Sequence, residues 1–88
     1  MPYIKEKYRK ELNPFIEDLL YVITTLPSED KNGIVTYVLY KIVKELYFQQ
    51  SWDILSDGRK CLDSASAEFC RQVIEPYEDL KIKENGSV

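Results

Sequence analysis

Tyrosine beside a cation is the pairing in this sequence with the clearest chemical use. Seven tyrosines stand among 88 residues, and Tyr3, Tyr8 and Tyr77 lie within a few positions of Lys or Arg. A phenol ring stacks on a planar ligand while its hydroxyl donates a hydrogen bond, and a nearby guanidinium or ammonium holds phosphate, so this is what a nucleotide pocket uses. Arg9 beside Tyr8, and Arg71 and Lys81 on either side of Tyr77, complete a candidate ligand-binding set of Tyr3, Tyr8, Arg9, Arg71, Tyr77 and Lys81. Each of these residues also has an ordinary structural use. Tyrosines fill core edges and interfaces, Arg71 can be tied to Glu68 or Glu75, and Lys81 and Lys83 can be tied to Glu78 or Glu84.

Catalytic constellations are harder to build. The sequence has no histidine, no Gly-rich phosphate loop and no GxSxG elbow. Its adjacent acids, Glu17/Asp18, Glu29/Asp30 and Glu78/Asp79, diverge by about 100° on a helix and so make no shared acid/base pair. Helix-dipole compensation and solvation account for them. Cys61 and Cys70 are nine residues apart, which within one helix puts them on roughly opposite faces and about 13 Å apart along the axis, out of bridging range. Without a histidine as base or a CxxC pair, neither a nucleophilic thiol nor a zinc site follows. Both cysteines are expected to be reduced, buried small hydrophobes. The expectation is no enzyme, no metal and no cofactor.

The elements that must position these residues are short, because the chain is short. At 88 residues it is expected to form a single domain, residues 1–88, with a small core and a thin stability margin. Disulfide and metal support being absent, self-association is the remaining route to stability. A net charge of −3 and a pI near 4.9 argue against affinity for duplex nucleic acid or an anionic membrane. Locally the balance differs: Lys5, Lys7, Arg9 and Lys10 outnumber Glu6 and Glu11, so a small anion can be held there. No charged-then-apolar leader and no apolar run of spanning length is present, which predicts a soluble protein of the cytoplasm.

Periodicity predicts helices throughout. Residues 5–12 carry the line Ile4, Tyr8, Leu12 and end at Asn13-Pro14, which reads as the close of one helix and the start of the next. The second runs to about Leu26, burying Ile16, Leu19, Leu20, Ile23 and Leu26, and Pro27 stops it. After a polar connection, residues 34–48 are apolar at eleven of fifteen positions. A helix apolar nearly all round must be covered nearly all round, so Tyr37, Tyr40, Val43 and Tyr47 are assigned to a subunit interface. Ser51 is the expected N-cap of a long helix over residues 52–75, in which Gly58 and Ala65 permit close helix approach. Pro76 reads as a hinge that folds a short helix over residues 77–84 back toward the basic first helix, and Asn85-Gly86 as its stop. The predicted fold class is all-α, a small helical bundle of about four helices with a short C-terminal helical appendix.

The two chain ends carry a resemblance. Pro2-Tyr3-Ile4, Leu12-Asn13-Pro14 with Ile16, then Glu68-Phe69, Arg71, Val73, Pro76-Tyr77-Glu78-Asp79, Lys81 and Glu84-Asn85-Gly86 resemble a family of short uncharacterised proteins of tailed phages and prophages. The middle matches loosely, and the chain departs from that pattern at Cys70, Gln72 and Leu80. The resemblance carries no active site. It implies a phage-type context, the bacterial host cytoplasm, and action by binding.

The expectation that follows is a non-enzymatic homo-oligomer, joined through the helix over residues 34–48, that binds or sequesters a small anionic nucleotide-like ligand between subunits, with a counter-defence role. The alternative is a protein–protein interaction module that occludes or bridges a host or phage protein.

Overall fold

A computed structural model of the chain describes residues 4–86. The first helix, α1, spans Glu6–Thr24. Glu6 in its first turn suits the positive end of the helix dipole, and the Lys5 carbonyl accepts hydrogen bonds from the amides of Tyr8 and Arg9 at 3.0 and 3.3 Å. Two threonines close the other end: Thr24 Oγ1 donates to the Tyr21 carbonyl at 2.7 Å and Thr25 Oγ1 to the Val22 carbonyl at 2.6 Å, satisfying acceptors that a helix terminus leaves over.

Pro14 lies inside α1, so the expected helix break at Asn13-Pro14 does not occur. Proline removes one hydrogen bond, the one that would reach the Lys10 carbonyl. The turns on either side hold the helix through that gap. The stop at Pro27 stands, since Pro27 is extended at φ −57° and ψ 132°.

A single 3₁₀ turn, Ser28–Asp30, leads directly into α2, Lys31–Tyr47. The helix therefore starts earlier than the apolar run that signals it. Ser51 adopts the extended N-cap conformation ahead of α3, Trp52–Phe69, and its backbone carbonyl accepts from the Leu55 amide at 3.0 Å, with no capping bond from its side chain.

Beyond Phe69 the chain does not stop. Cys70–Ile74 form a π-helical segment that passes into α4, Glu75–Asn85, with helical dihedrals at Phe69, Cys70, Ile74 and Glu75. The described chain is thus all-helical and consists of three helical rods, the last made of α3, the π segment and α4. The predicted fourth helix and appendix are parts of this rod. At 1.5 Å per residue it spans about 50 Å, and the longest dimension of the molecule is 50 Å.

Pro76 is consequently no hinge. It occupies the first turn of α4, and α4 makes no extended contact with α1. Proline cannot donate to the carbonyl four residues back, and its ring collides with that carbonyl in a regular helix. The π segment bonds with the wider spacing, the Glu75 amide donating to the Cys70 carbonyl, which carries the chain past the collision without a bend large enough to reverse it. Gly86 ends the rod at φ +78°, the positive φ that glycine accepts most readily at a helix end.

Packing is sparse. α2 lies along α3, α1 meets α2 over a short stretch, and among the described residues no apolar side chain is fully buried. Leu19, Ile23, Ile34, Val38, Val43, Tyr47 and Ile54 are half-buried, whereas Ile16, Leu20 and Leu26, expected in the core, are exposed. Cys61 and Cys70, expected to be buried, are exposed as well.

Candidate functional site

The seam between α2 and α3 is tight at Gly58, the one buried residue among those described. Absence of a side chain there lets Val43 and Tyr47 of α2 approach the α3 backbone. Beside this crossing opens an apolar groove of about 260 Å³ lined by Tyr40, Val43, Lys44, Tyr47, Phe48, Leu55, Gly58 and Leu62. The spacing of Leu55, Gly58 and Leu62 along α3 puts all three on the face turned to α2.

The polar groups of the groove sit at its rim. Lys44 Nζ stands 5.6 Å from the centre of the Tyr40 ring, within cation–π range. Across the seam, Cys61 Sγ donates to Tyr47 Oη at 3.4 Å. That bond, then the charge Cys61 acquires on ionisation, partial burial and Asp57 together push the Tyr47 phenol up from its ordinary value. On the neighbouring face of α2, Lys41 Nζ meets Glu45 Oε1 at 2.7 Å. Their hydrogen bond, reinforced by the opposite charges, raises the lysine and lowers the carboxyl.

A second, wider groove opens where α1 meets α2, with Leu19, Val22 and Leu26 on one side and Ile34, Tyr37 and Val38 on the other. Three of the four residues assigned to an interface, Tyr40, Val43 and Tyr47, thus line one groove, and Tyr37 lines the next.

The ligand-binding set is more dispersed. Tyr3 lies outside the described residues. Tyr8 and Arg9 stand in the second turn of α1, with Lys7 Nζ 5.2 Å from the Tyr8 ring. Tyr77 and Lys81 are brought together on α4, with 5.7 Å between ammonium and ring centre, and Lys81 Nζ also lies 3.4 Å from Glu84 Oε2. Arg71, in the π segment, is engaged by Glu68: its Nη2 donates to Oε1 at 2.6 Å and Oε2 at 2.5 Å, and Gln72 Nε2 joins Oε1 at 2.9 Å. Among the described residues α1 makes no extended contact with the rod, and Tyr8 and Arg9 are not brought together with Tyr77 and Lys81.

Lys44, Phe48 and the Cys61 hydrogen bond escape a reading of the sequence. Their periodicity is ordinary, and only the crossing of α2 and α3 turns them toward one another. The groove offers apolar surface and a cation at its edge, which suits binding. Among the described residues no cluster of three His, Cys, Asp or Glu side chains is placed to hold a metal ion, and no helix is long and apolar enough to cross a membrane.

A comparison with curated proteins and with solved structures finds no match. A family model does match, over residues 1–88, the full length of the sequence, and by it the chain belongs to the family described as Domain of unknown function (DUF6899).

Proposed function

We propose that this protein is a non-enzymatic binder that works as an assembly of identical copies, in which the helix faces left open in one chain cover those of another. One observation carries this reading. The chain exposes 8073 Å², whereas a compact folded chain of 10.4 kDa exposes about 5,400 Å². The radius of gyration agrees, at 16.6 Å against about 12 Å for a compact chain of this length. A chain that leaves Phe15, Tyr21, Leu46, Phe48 and Trp52 in water does not offset its conformational entropy alone.

The ligand of such an assembly is a small anionic, nucleotide-like molecule held between subunits. Tyr77 and Tyr8 stack on its base, and Lys81 and Arg9 hold phosphate, while Arg71 acts through its pairing with Glu68. A phage-type setting in a host cytoplasm, which the end motifs suggest, fits sequestration of a host signalling nucleotide as counter-defence.

Docking of a helix from a host or virion protein into the Tyr40–Tyr47–Phe48 groove is the second reading, favoured by the apolar character of that groove. Native mass spectrometry of the purified protein separates the two. Retention of a small molecule on an oligomer is the expected result. A monomer without ligand that shows no thermal shift across a nucleotide panel sinks the first reading.

A further inference from the structure

Along α1, Tyr8, Leu12, Phe15, Leu19, Val22 and Leu26 advance alternately by four and three residues, the spacing of a helix that packs lengthwise on another. The C-terminal half of this stripe borders α2, since Leu19, Val22 and Leu26 line the groove there, although Val22 and Leu26 stay 53 and 43 % exposed. In the N-terminal half, Tyr8, Leu12 and Phe15 are 45, 48 and 71 % exposed. Among the described residues α1 therefore extends beyond its one extended contact, with α2, as an amphipathic helix.

A second uncovered line runs down the long rod. Phe69, Val73 and Tyr77 are 57, 50 and 60 % exposed and follow one another by four residues. In a regular helix that spacing drifts around the axis. The π segment between Cys70 and Ile74 turns less per residue than an α-helix, because each bond reaches five residues back, and so offsets part of that drift between Phe69 and Tyr77.

Charge matches the two lines to each other. Around Tyr8, Glu6 and Lys10 pair with each other at 3.6 Å, which leaves Lys5, Lys7 and Arg9 against Glu11. Around Tyr77, α4 carries Glu75, Glu78, Asp79 and Glu84 against Lys81 and Lys83. One segment is basic by two charges and the other acidic by two. Two copies of α1 match less well. Side by side in parallel they bring their basic ends together, and in antiparallel Glu11 faces the partner's Asp18 along one flank.

The exposed area sets the scale of what is missing. The excess over a compact chain is about 2,700 Å², well above the ~800 Å² per partner of a standard interface and of the order found in obligate homodimers. A reciprocal exchange makes two equivalent contacts about a two-fold axis and so covers more than a single patch does.

We propose that the uncovered half of α1, centred on Tyr8, Leu12 and Phe15, packs on the Phe69, Val73 and Tyr77 line of a second copy of this chain, and that the second copy's α1 does the same in return. This pairing rests on the self-assembly reading above and specifies its geometry. It sets Tyr8 and Arg9 of one copy beside Tyr77 and Lys81 of the other, so the ligand site that one chain leaves divided is completed between copies.

The test reverses charge at positions that make no ion pair among the described residues. Variant one carries Lys7→Glu and Arg9→Glu; variant two carries Glu78→Lys and Asp79→Lys. Sedimentation equilibrium at low ionic strength measures association of each alone and of the equimolar mixture, and native mass spectrometry measures composition. Each variant alone is expected to associate about tenfold or more weakly than the unaltered protein. The mixture is expected to recover full association as a one-to-one heteromer, because each α1 then meets a rod of opposite charge. This recovery remains the readout even where a variant alone folds poorly. Association of either variant at the unaltered level, or a mixture that recovers nothing, overturns the pairing and leaves self-assembly standing. An unaltered protein that is monomeric at every concentration overturns the self-assembly reading and the pairing with it.

Discussion

Gly58 of α3 lies against Tyr47 of α2 so closely that a methyl group placed on it would stand 3.1 Å from the Tyr47 Cβ and 3.3 Å from its Cγ. Val43 Cγ1 would be 3.0 Å away. A valine methyl can rotate aside, but a Cβ is fixed to its backbone, so added bulk at position 58 must push the helices apart. The helical backbone itself would welcome a side chain, and the exclusion comes from the neighbouring helix alone.

Gly58→Ala sets a helix-propensity gain of about 1 kcal/mol against that contact, and is expected to lose up to about 1 kcal/mol on balance. Gly58→Leu has no room and is expected to lose about 2–3 kcal/mol. Urea unfolding at fixed protein concentration measures both. A Gly58→Leu protein as stable as the unaltered one would mean that α2 and α3 do not cross there.

The Tyr47–Cys61 bond predicts a specific alkaline weakness. The Tyr47 phenol is raised in the folded chain, so folding favours its neutral form. That contribution is fully present below the ordinary tyrosine value near 10 and is lost as pH rises through the higher folded value. Melting temperature measured from pH 8 to 11 should fall more steeply for the unaltered protein than for Tyr47→Phe, which has no proton to lose. Equal slopes would remove Tyr47 from the alkaline transition.

Pro76 accounts for the π segment, and its removal should show this. In Pro76→Ala the amide at position 76 can bond to the Gln72 carbonyl, so the Cys70–Ile74 stretch is expected to return to α-helical bonding. Stability of the rod rises by about 1–3 kcal/mol. Backbone chemical shifts and amide exchange across the segment report the change. Persistence of the bond from Glu75 to Cys70 would show that the wide turn has another cause.

Pro14 offers a parallel case without a wide turn. Pro14→Ala restores a bond to the Lys10 carbonyl within α1 and is expected to stabilise that helix by about 1–3 kcal/mol. Circular dichroism during thermal unfolding is the measurement. No gain would indicate that residues 6–13 are already frayed from the rest of α1.

How far the sequence carries is best seen at its prolines and glycines. Pro27 was legible as a stop because the residue ahead of it and the loss of its amide both oppose a helix. Gly86 was legible as an end for a similar local reason. Pro14 and Pro76 carry the same local signal with the opposite outcome, since each sits where the turns on both sides are strong enough to continue. Local chemistry does not state which side wins. The site divides in the same way. Tyr40, Val43 and Tyr47 were assigned to a subunit interface from the apolar run of α2, and the fold sets them beside α3 of the same chain; Gly58 was legible as a point of close helix approach from its lack of a side chain in a long helix. Cys61 was expected inside and lies at the exposed edge of the seam, where it meets the Tyr47 hydroxyl, because burial depends on how closely the helices cross.

The sequence by itself determined that this chain is helical, where its helices carry apolar stripes, and which ends hold tyrosines beside cations. These follow from periodicity and side-chain type, which act over a few residues. Only the tertiary structure decided that α3 and α4 form one rod, that Gly58 is the point where α2 and α3 meet, that Cys61 bonds Tyr47, and that α1 stands largely free of the other helices. Those relations depend on helix crossings between residues far apart in the sequence, and on how much apolar surface one copy of the chain is able to cover.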